Sequence, residues 1–488
     1  MTSRRTGTST LERRPNWQLA DLLDQAGLSN KQFARSVRET AVRHGHDAKC
    51  THTSVQRWLD GRSSRAVPPE LIAETLSLAL GRLVSTTDIG MPTNRHRDLL
   101  ATMTEFIDEP ADLVAAARRL WSSDLDQHSA IRVEIPAGAL SGPALHWLLA
   151  PAPPPPPGRG AGPLVTAADV TRVHTTCRTF DQIAGRHGGA AARLPAVQYL
   201  HTGLSPLLTG RYPGPVGRLL FGATAEACLG IGRYAFDEGL YGLARRYQLL
   251  ALFMAHHADD RLVGAHALAA LADQSLTVGD HPPTMDLVRA ALTATVGHDP
   301  YARAALHASE ARAYAARRDP AATARALAEV RRCLGRAAQP APEPHGPDRT
   351  GGFGPADLAD CELRCRLALG DHRAARDCAR LAIAARDPGR VVDQAIGYGL
   401  LALAEAGSGR PDEACQAAEQ ALRHADGVQS AQVAGVLDHL ADRLDRLDRT
   451  DRLDRPDQGS APTRAGAVAQ RIRAALRSGQ YAGSARRP

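Results

Sequence analysis

The chain has 488 residues, of which 43% are hydrophobic and only 4% aromatic, with eight dispersed cysteines. Ala and Leu favour helices whereas aromatic and β-branched residues favour strands, so this composition predicts an all-α protein. The sequence shows no signal-peptide-like apolar stretch, no apolar run of about 18 residues and no disulfide framework, and we therefore expect a cytoplasmic protein without a membrane segment.

The positive charge is concentrated at the start of the chain. The net charge is +7, and residues 1–100 hold 15 Lys and Arg against 10 Asp and Glu. A local basic excess is the electrostatic pattern of a surface that meets phosphate. The N-terminal fifth of the chain is therefore the candidate for nucleic-acid binding.

Residues 1–15 are predicted to be a disordered tail, and an amphipathic first helix is predicted over Asn16 to Ala26. The apolar residues assigned to its inward face are Trp17, Ala20, Leu23 and Ala26. Gly27 ends this helix, and Ser29 or Asn30 caps a second one. The predicted core side of the second helix carries Phe33, Ala34 and Val37.

A third helix, predicted over Thr53 to Asp60 and capped by Thr51, has the pattern of a DNA-reading helix. Val55, Trp58 and Leu59 share its inward face by helical spacing. The side chains on the opposite face can hydrogen-bond base edges in the major groove, and they are His52, Thr53, Gln56 and Arg57. Arg62 and Arg65 follow in a loop suited to phosphate contacts. A helix over Glu70 to Leu80 closes the core of a predicted domain spanning residues 16–91.

These segments resemble the Cro/repressor-type (XRE-like) helix-turn-helix. The matching letters are KQFA at Lys31 to Ala34, TSVQRWLDG at Thr53 to Gly61 and PPELIAETLSLALG at Pro68 to Gly81. The resemblance implies base reading by the start of the third helix and phosphate contacts from the start of the second helix and the following loop. The DNA-binding residues expected on this basis are Asn30, Lys31, Thr51, His52, Thr53, Gln56, Arg57, Arg62 and Arg65.

One stretch departs from that pattern. About a dozen extra residues, Arg38 to Lys49, separate the two motif helices. Either the second helix is longer or a loop replaces the turn.

The remaining chain divides by composition. Residues 92–150 are a connector in which AIRVEIP at Ala130 to Pro136 alternates like a short strand, and residues 151–163 form a stiff Pro-rich linker. A helical array is predicted over 164–440 with a long loop at 336–357. Residues 441–488 are a charged low-complexity tail with a candidate terminal helix. Its Asp/Arg/Leu repeat, Asp442 to Asp457, could continue a helix through i,i+3 and i,i+4 ion pairs, but the favoured interpretation is a tract without a role.

Turn signals recur through the array at a nearly constant distance, at Gly239, Gly279, Asp319, Gly370 and Gly409. A period near 40 residues predicts paired helices stacked as an α-solenoid. The alanine spacing resembles tetratricopeptide (TPR) repeats, although the period exceeds the usual length of about 34. The predicted architecture is a helix-turn-helix domain followed by a TPR-like α-solenoid.

The combination of the two parts resembles a group of actinomycete regulators. The resemblance includes YLHTGLSPLLTGRY at Tyr199 to Tyr212 and GRYAFDEGLYGLARRY at Gly232 to Tyr247. It implies a transcriptional regulator of development or secondary metabolism, and several members of the group are repressors of sporulation or antibiotic production.

The histidine and cysteine clusters of the sequence have simpler structural explanations than catalysis or metal binding. His44, His46, Cys50 and His52 do not have a standard zinc spacing, and Cys361, Cys365 and Cys378 are more simply buried apolar side chains. His256-His257 and Asp259-Asp260 are interpreted as a charged helix end. No phosphate-loop, dinucleotide, zinc-protease or nucleophile-elbow motif occurs, so we expect no enzyme activity, metal or cofactor.

The sequence therefore predicts a transcription regulator that binds double-stranded DNA, as a homodimer associated with the nucleoid, and whose array binds a peptide, protein or small effector. One alternative is a TPR-type scaffold whose N-terminal domain docks protein. The other is an enzyme with a degenerate site on a helical fold.

Overall fold

The chain divides into two compact units. Unit 1 comprises residues 1–103 and 127–135, and unit 2 comprises residues 104–126 and 136–488. The computed structural model describes residues 15–43, 49–62, 67–82, 84, 86, 88–91, 103–127, 129–154, 156–160, 162–279, 281–295, 299–337, 353–454 and 463–478. The described residues are almost entirely helical, as the composition predicted, and none of their helices is long and apolar enough to cross a membrane.

The described part of unit 1 has four helices around one apolar core. They are α1 (Trp17–Gln25), α2 (Asn30–Arg43), α3 (His52–Leu59) and α4 (Pro69–Leu80). A short 3-10 helix, Ser129–Arg132, packs against α4. The segment AIRVEIP, predicted as a strand, contains part of this helix and no strand.

The inward face of α1 differs from the predicted one. Leu19, Leu22 and Leu23 are buried, whereas Trp17 is 72% exposed. The prediction followed a spacing of three residues, but a helix has 3.6 residues per turn, so nine residues at that spacing drift halfway around the helix. The spacing i, i+3, i+4 of the three leucines is the one that stays on one face.

The extra residues between the motif helices lengthen the second helix. Helix α2 continues through Arg43 and keeps Val37 and Ala41 in the core. Residues 44–48 lie outside the described part of the chain. Of the two alternatives for Arg38 to Lys49, the structure therefore supports a longer second helix as far as Arg43.

Unit 2 begins with helices that precede the repeated pairs. They are α5 (Pro110–Leu125), α6 (Ser141–Leu149), α7 (Ala167–His187), α8 (Gly189–Tyr199) and the single turn α9 (Ser205–Leu208). A further 3-10 helix spans Ala137–Leu140 and a π-helical turn spans Leu200–Leu204. The two-residue strands β1 (Gly158–Arg159) and β2 (Arg211–Tyr212) pair antiparallel.

In the residues that the structure describes, six helix pairs follow, and the two helices of each pair pack against each other. The pairs are α10 (Gly214–Asp237) with α11 (Tyr241–Ala258), α12 (Arg261–Val278) with α13 (His281–Ala294), α14 (Pro300–Ala316) with α15 (Pro320–Ala337), α16 (Pro355–Leu369) with α17 (His372–Ala385), α18 (Val391–Gly407) with α19 (Pro411–Ala425), and α20 (Ala431–Asp454) with α21 (Arg464–Arg477).

The turns inside the first five pairs share one backbone feature. Gly239, Gly279, Gly370 and Gly409 have φ between +73° and +85°. The corresponding residue of the third pair is Arg318, with φ of +57°, one residue before the predicted Asp319. A left-handed residue reverses the chain after a helix, and glycine adopts this conformation without a Cβ clash. The recurring turn signal in the sequence therefore corresponds to a recurring backbone turn.

The Pro-rich segment lies on the surface of unit 2. Gly217 of α10 leaves room for Pro156, whose carbonyl oxygen would lie 2.0 Å from a Cβ at that position. Two residues later the chain enters β1, which pairs with β2. The described part of the segment contains no helix, and it is held in place by the approach of Pro156 to Gly217 and by the β1–β2 pairing.

The described part of the Asp/Arg/Leu repeat, residues 442–454, lies in the second half of α20. Leu440 and Leu444 join Val468 and Ile472 of α21 in one apolar cluster. Arg473 pairs with Asp442 and Asp445. The predicted array boundary at residue 440 lies inside this helix, because the leucines of the repeat recur at helical spacing and bury one face.

A buried polar network joins α5, α8 and the first helix pair. The guanidinium of Arg193 bonds to the carboxylates of Asp124 and Glu238, the latter at 2.6 Å from Nε. Tyr247 donates to Asp124 at 2.9 Å. Arg193, Asp124 and Glu238 are each at most 5% exposed. Burial is the largest influence on the pKa of Asp124 and raises it, although Arg193 and Tyr247 oppose the shift.

Replacing Arg193 by Ala should destabilise unit 2 strongly. It would leave two buried carboxylates without their cation, which costs about 3–5 kcal/mol. Chemical denaturation of the full chain, followed by circular dichroism, measures the change. The control is Arg233→Ala, because Arg233 is 60% exposed in its pair with Asp181 and should cost below about 1 kcal/mol. Equal effects of the two substitutions would contradict the role assigned to the buried network.

The two tryptophans of unit 1 provide a matched pair for its core. Trp58 is 4% exposed and Trp17 is 72% exposed. Trp58→Ala should lower the free energy of unfolding of unit 1 by about 3–5 kcal/mol because it opens a cavity. Trp17→Ala should change it by no more than about 0.5 kcal/mol. Denaturation monitored by the fluorescence of the remaining tryptophans separates the two outcomes.

Candidate nucleic-acid interface

Helix α3 begins at a short hydrogen-bonded cap. The Ser54 hydroxyl oxygen accepts a hydrogen bond from the Thr51 backbone N–H at 3.2 Å, and the Thr51 and Thr53 hydroxyls lie 2.7 Å apart. Thr51 has extended backbone geometry, as an N-cap residue does. This cap fixes where the helix starts and therefore which side chains of its first turn face outward.

The two faces of α3 differ sharply in polarity. Val55 is fully buried and Trp58 nearly so, which confirms the predicted core role of both residues. The residues predicted to read bases are all exposed, namely His52, Thr53, Gln56 and Arg57. The helix thus presents an outward strip of hydrogen-bonding groups on a rigid support.

Gln56 is held by partners on both sides. Its Oε1 accepts from Nδ2 of Asn30, the first residue of α2, and its Nε2 donates to Oδ1 of Asp60, both at 3.2 Å. A glutamine amide carries two donors and two lone pairs, so one N–H and one lone pair stay available. Asn30 and Gln56, predicted to contact phosphate and base respectively, are therefore part of one hydrogen-bonded group.

Exposed cations precede and follow α3 in the sequence. Lys31 follows Asn30 at the N-terminus of α2 and is exposed. The positive end of the helix dipole adds to its charge. Arg62 is exposed just after α3, and its backbone N–H bonds to the Arg57 carbonyl at 2.9 Å. Arg65 lies outside the described residues.

Asp60 is the residue of this surface that the sequence reasoning missed. It stands four residues after Gln56, a spacing at which Gln and Asp side chains meet on a helix, so the signal was present in the sequence. Its carboxylate introduces a negative charge next to the strip. The Asn30–Gln56 bond had no such signal, because the two residues are 26 positions apart.

Cys50 does not have the environment of a metal ligand. The thiol is fully buried in the core of unit 1, and burial raises its pKa to about 11. His52 is exposed, while His44 and His46 lie outside the described residues. Among the residues that the structure describes, no group of three His, Cys, Asp or Glu side chains can hold a metal ion.

The other cysteines and histidines singled out in the sequence are packed inside unit 2. Cys361 donates to the Ala308 carbonyl at 3.5 Å inside an apolar cluster that includes Cys365. Burial lowers the pKa of His256 to about 4, and the ring packs edge-on against Phe106. His257 bonds through Nε2 to the Ile107 carbonyl. The predicted charged helix end is therefore wrong for both histidines, because they are buried.

A family model described as the SP15 N-terminal domain matches residues 19–92. The match begins inside α1 and extends beyond α4, so it includes the whole of α3. No curated protein matches the chain.

Removing the Asn30 side chain should loosen Gln56 without unfolding unit 1. The bond is exposed, so Asn30→Ala should change the free energy of unfolding by no more than about 0.5 kcal/mol. The side-chain amide of Gln56 should become more mobile in ¹⁵N NMR relaxation. Lys31→Ala is the control, since Lys31 is the next residue along the chain, and should leave this amide unchanged. An unaltered Gln56 amide in Asn30→Ala would show that the bond does not orient the side chain.

Proposed function

We propose that this chain is a DNA-binding transcription regulator in which α2 and α3 act as a helix-turn-helix. The observation that carries the proposal is the outward strip of α3, where His52, Thr53, Gln56 and Arg57 are exposed above a face buried through Val55 and Trp58. Arginine pairs with guanine and glutamine with adenine in the major groove. A short, well-anchored helix with these side chains is suited to that reading.

The surroundings of the strip support the same assignment. Lys31 at the start of α2 and Arg62 after α3 supply cations where phosphates would flank a helix in the groove. Arg65 is proposed to act with Arg62. A single helix-turn-helix domain buries too little surface on DNA for high specific affinity, and we therefore propose a homodimer on double-stranded DNA.

The six helix pairs of unit 2 are proposed to be a TPR-like solenoid that binds a peptide, protein or small effector. The support is the repeated turn with a left-handed residue at Gly239, Gly279, Arg318, Gly370 and Gly409. Binding of an effector changes DNA affinity only as far as the effector distinguishes two forms of the protein. By resemblance, the proposed role is control of development or secondary metabolism, in a cytoplasmic, nucleoid-associated protein.

Mobility shifts with genomic fragments test the proposal. Wild type should give a specific, salt-sensitive shift, since phosphate contacts release counterions. Arg57→Ala should weaken specific binding by about 1–3 kcal/mol, which is roughly 5- to 150-fold, and relax the preference at one base. Lys31→Ala should weaken binding to all sequences alike and reduce the salt slope by about one.

Arg82→Ala is the matched control. Arg82 is an exposed arginine of unit 1 that is bonded to Gln25 of α1 at 2.8 Å and is outside the strip. It should bind DNA as wild type does. If wild type gives no salt-sensitive specific shift, DNA binding is wrong; if Arg57→Ala binds specific sites normally, the assignment of α3 is wrong.

The alternative is a scaffold whose unit 1 docks protein. The observation that favours it is the exposed indole of Trp17, because exposed aromatic side chains are common anchors of protein interfaces. A protein partner lost in Trp17→Ala, together with the absence of a DNA shift, would select this alternative.

A further inference from the structure

Asp237, the last residue of α10, joins three segments that are far apart in the sequence. Its Oδ2 accepts a hydrogen bond from the Gly189 backbone N–H at 2.7 Å, and its Oδ1 accepts one from the Ser430 hydroxyl. Asp237 is 8% exposed and Ser430 is fully buried. The end of the first helix of the first pair is therefore bonded to the residue that precedes the sixth pair.

Two backbone approaches lie beside this carboxylate. The Gln429 N–H donates to the His187 carbonyl at 2.8 Å. Glycine is required at position 188, where a Cβ would lie 2.1 Å from the Gln429 carbonyl oxygen. A Cβ on Gly239 would lie 3.3 Å from that of Ala431. Two chain segments that are otherwise remote thus meet at backbone distance.

These contacts close the row of helix pairs into a cycle. Each pair contacts the next from α10/α11 to α20/α21, and α7 contacts both α10 and α18. In an open solenoid a repeat contacts only its neighbours. Here the first pair also meets the start of the last pair, so the helix pairs of unit 2 form a ring.

Helices α7 and α8 lie between α10 on one side and α18 and α20 on the other, and the bonds to the two sides differ. Helices α7 and α8 are joined to α10 by the buried Arg193–Glu238 pair and by the Tyr234 hydroxyl, which donates to Asp181 at 2.6 Å. On the side of α18 and α20, the described hydrogen bonds run from the Ser430 hydroxyl to Asp237 and from the Gln429 N–H to the His187 carbonyl. We call this second contact the seam, formed by residues 185–189 and 237–239 against Arg390 and residues 429–431.

We propose that the ring of unit 2 opens at the seam, with α7, α8 and α10 on one side and α18 and α20 on the other. Among the described residues no ion pair joins the two sides of the seam, whereas a buried one joins α8 to α10, and low-stability contacts are the ones that open locally. Opening separates α18 from α7, which contact each other in the closed ring. This inference does not depend on DNA binding.

Hydrogen–deuterium exchange of the full chain tests the proposal. In Asp237→Asn, the amides of Gly189 and Gln429 should both exchange about tenfold faster than in wild type, because the substitution removes a charged acceptor. The Gln429 amide is the decisive readout, since it bonds to His187 and not to Asp237. Amides of Leu268 to Ala272, in the buried part of α12, should be unchanged.

Two controls keep the result interpretable. Asp181→Asn removes a carboxylate on α7 whose described partners, Arg233 and Tyr234, are both on α10, and it should leave Gln429 exchange at the wild-type rate. Ser430→Ala is the milder seam variant if Asp237→Asn fails to fold, and it should accelerate both amides. Acceleration of Gly189 alone would indicate a local loss and overturn the proposal, as would equal acceleration of the α12 amides.

A disulfide across the seam gives the opposite test. The 3.3 Å approach is close to the Cβ–Cβ distance of about 3.5–4.5 Å in disulfides, so the double variant Gly239→Cys/Ala431→Cys can be cross-linked. Because position 239 has a positive φ, a cysteine there is strained whether or not the disulfide forms. The reduced double variant carries the same strain and is therefore the reference for the oxidised one. Oxidation should slow exchange of the Gln429 amide about tenfold or more, and an unchanged rate would overturn the proposal.

Discussion

The buried pairing of Arg193 with Asp124 and Glu238 determines how the start of unit 2 is assembled. The arginine is on α8, one carboxylate on α5 and the other just after α10. None of the three charges is tolerable in the interior without the others, so the three segments must come together or not fold. The first helix pair is thereby fixed to α5 and α8, and each later pair stacks on the one before it.

Small side chains decide how closely those pairs approach. The cores of the later pairs consist mainly of alanine, with Ala375, Ala379, Ala414 and Ala418 among the fully buried residues. Such cores bury little area per residue, and the structure adds stability through capped helices and paired charges. The row of pairs closes on itself at the buried hydrogen bond between Ser430 and Asp237.

In unit 1 the proposed site depends on packing that is remote from it in the sequence. The exposed strip of α3 points outward because Val55 and Trp58 are held in the core, and Gln56 is oriented by a residue 26 positions away. Positioning from a rigid helix suits recognition, because fewer conformations must be lost on binding. The same argument explains why the cap at Thr51 and Ser54 matters more than its exposed location suggests.

The sequence by itself determined the helical class, the approximate bounds of α1 to α4, the turns near Gly239, Gly279, Gly370 and Gly409, and the two faces of α3. These properties are local, since they follow from composition, caps and spacing within a few residues. The inward face of α1 and the helical spacing of leucines in α20 are local patterns too, although the predictions missed them. The tertiary structure alone decided the packing of α20 against α21, the Asn30–Gln56 bond and the Asp237 contact that closes the ring. Each of these depends on which distant segment packs against a helix, and no local pattern encodes that choice.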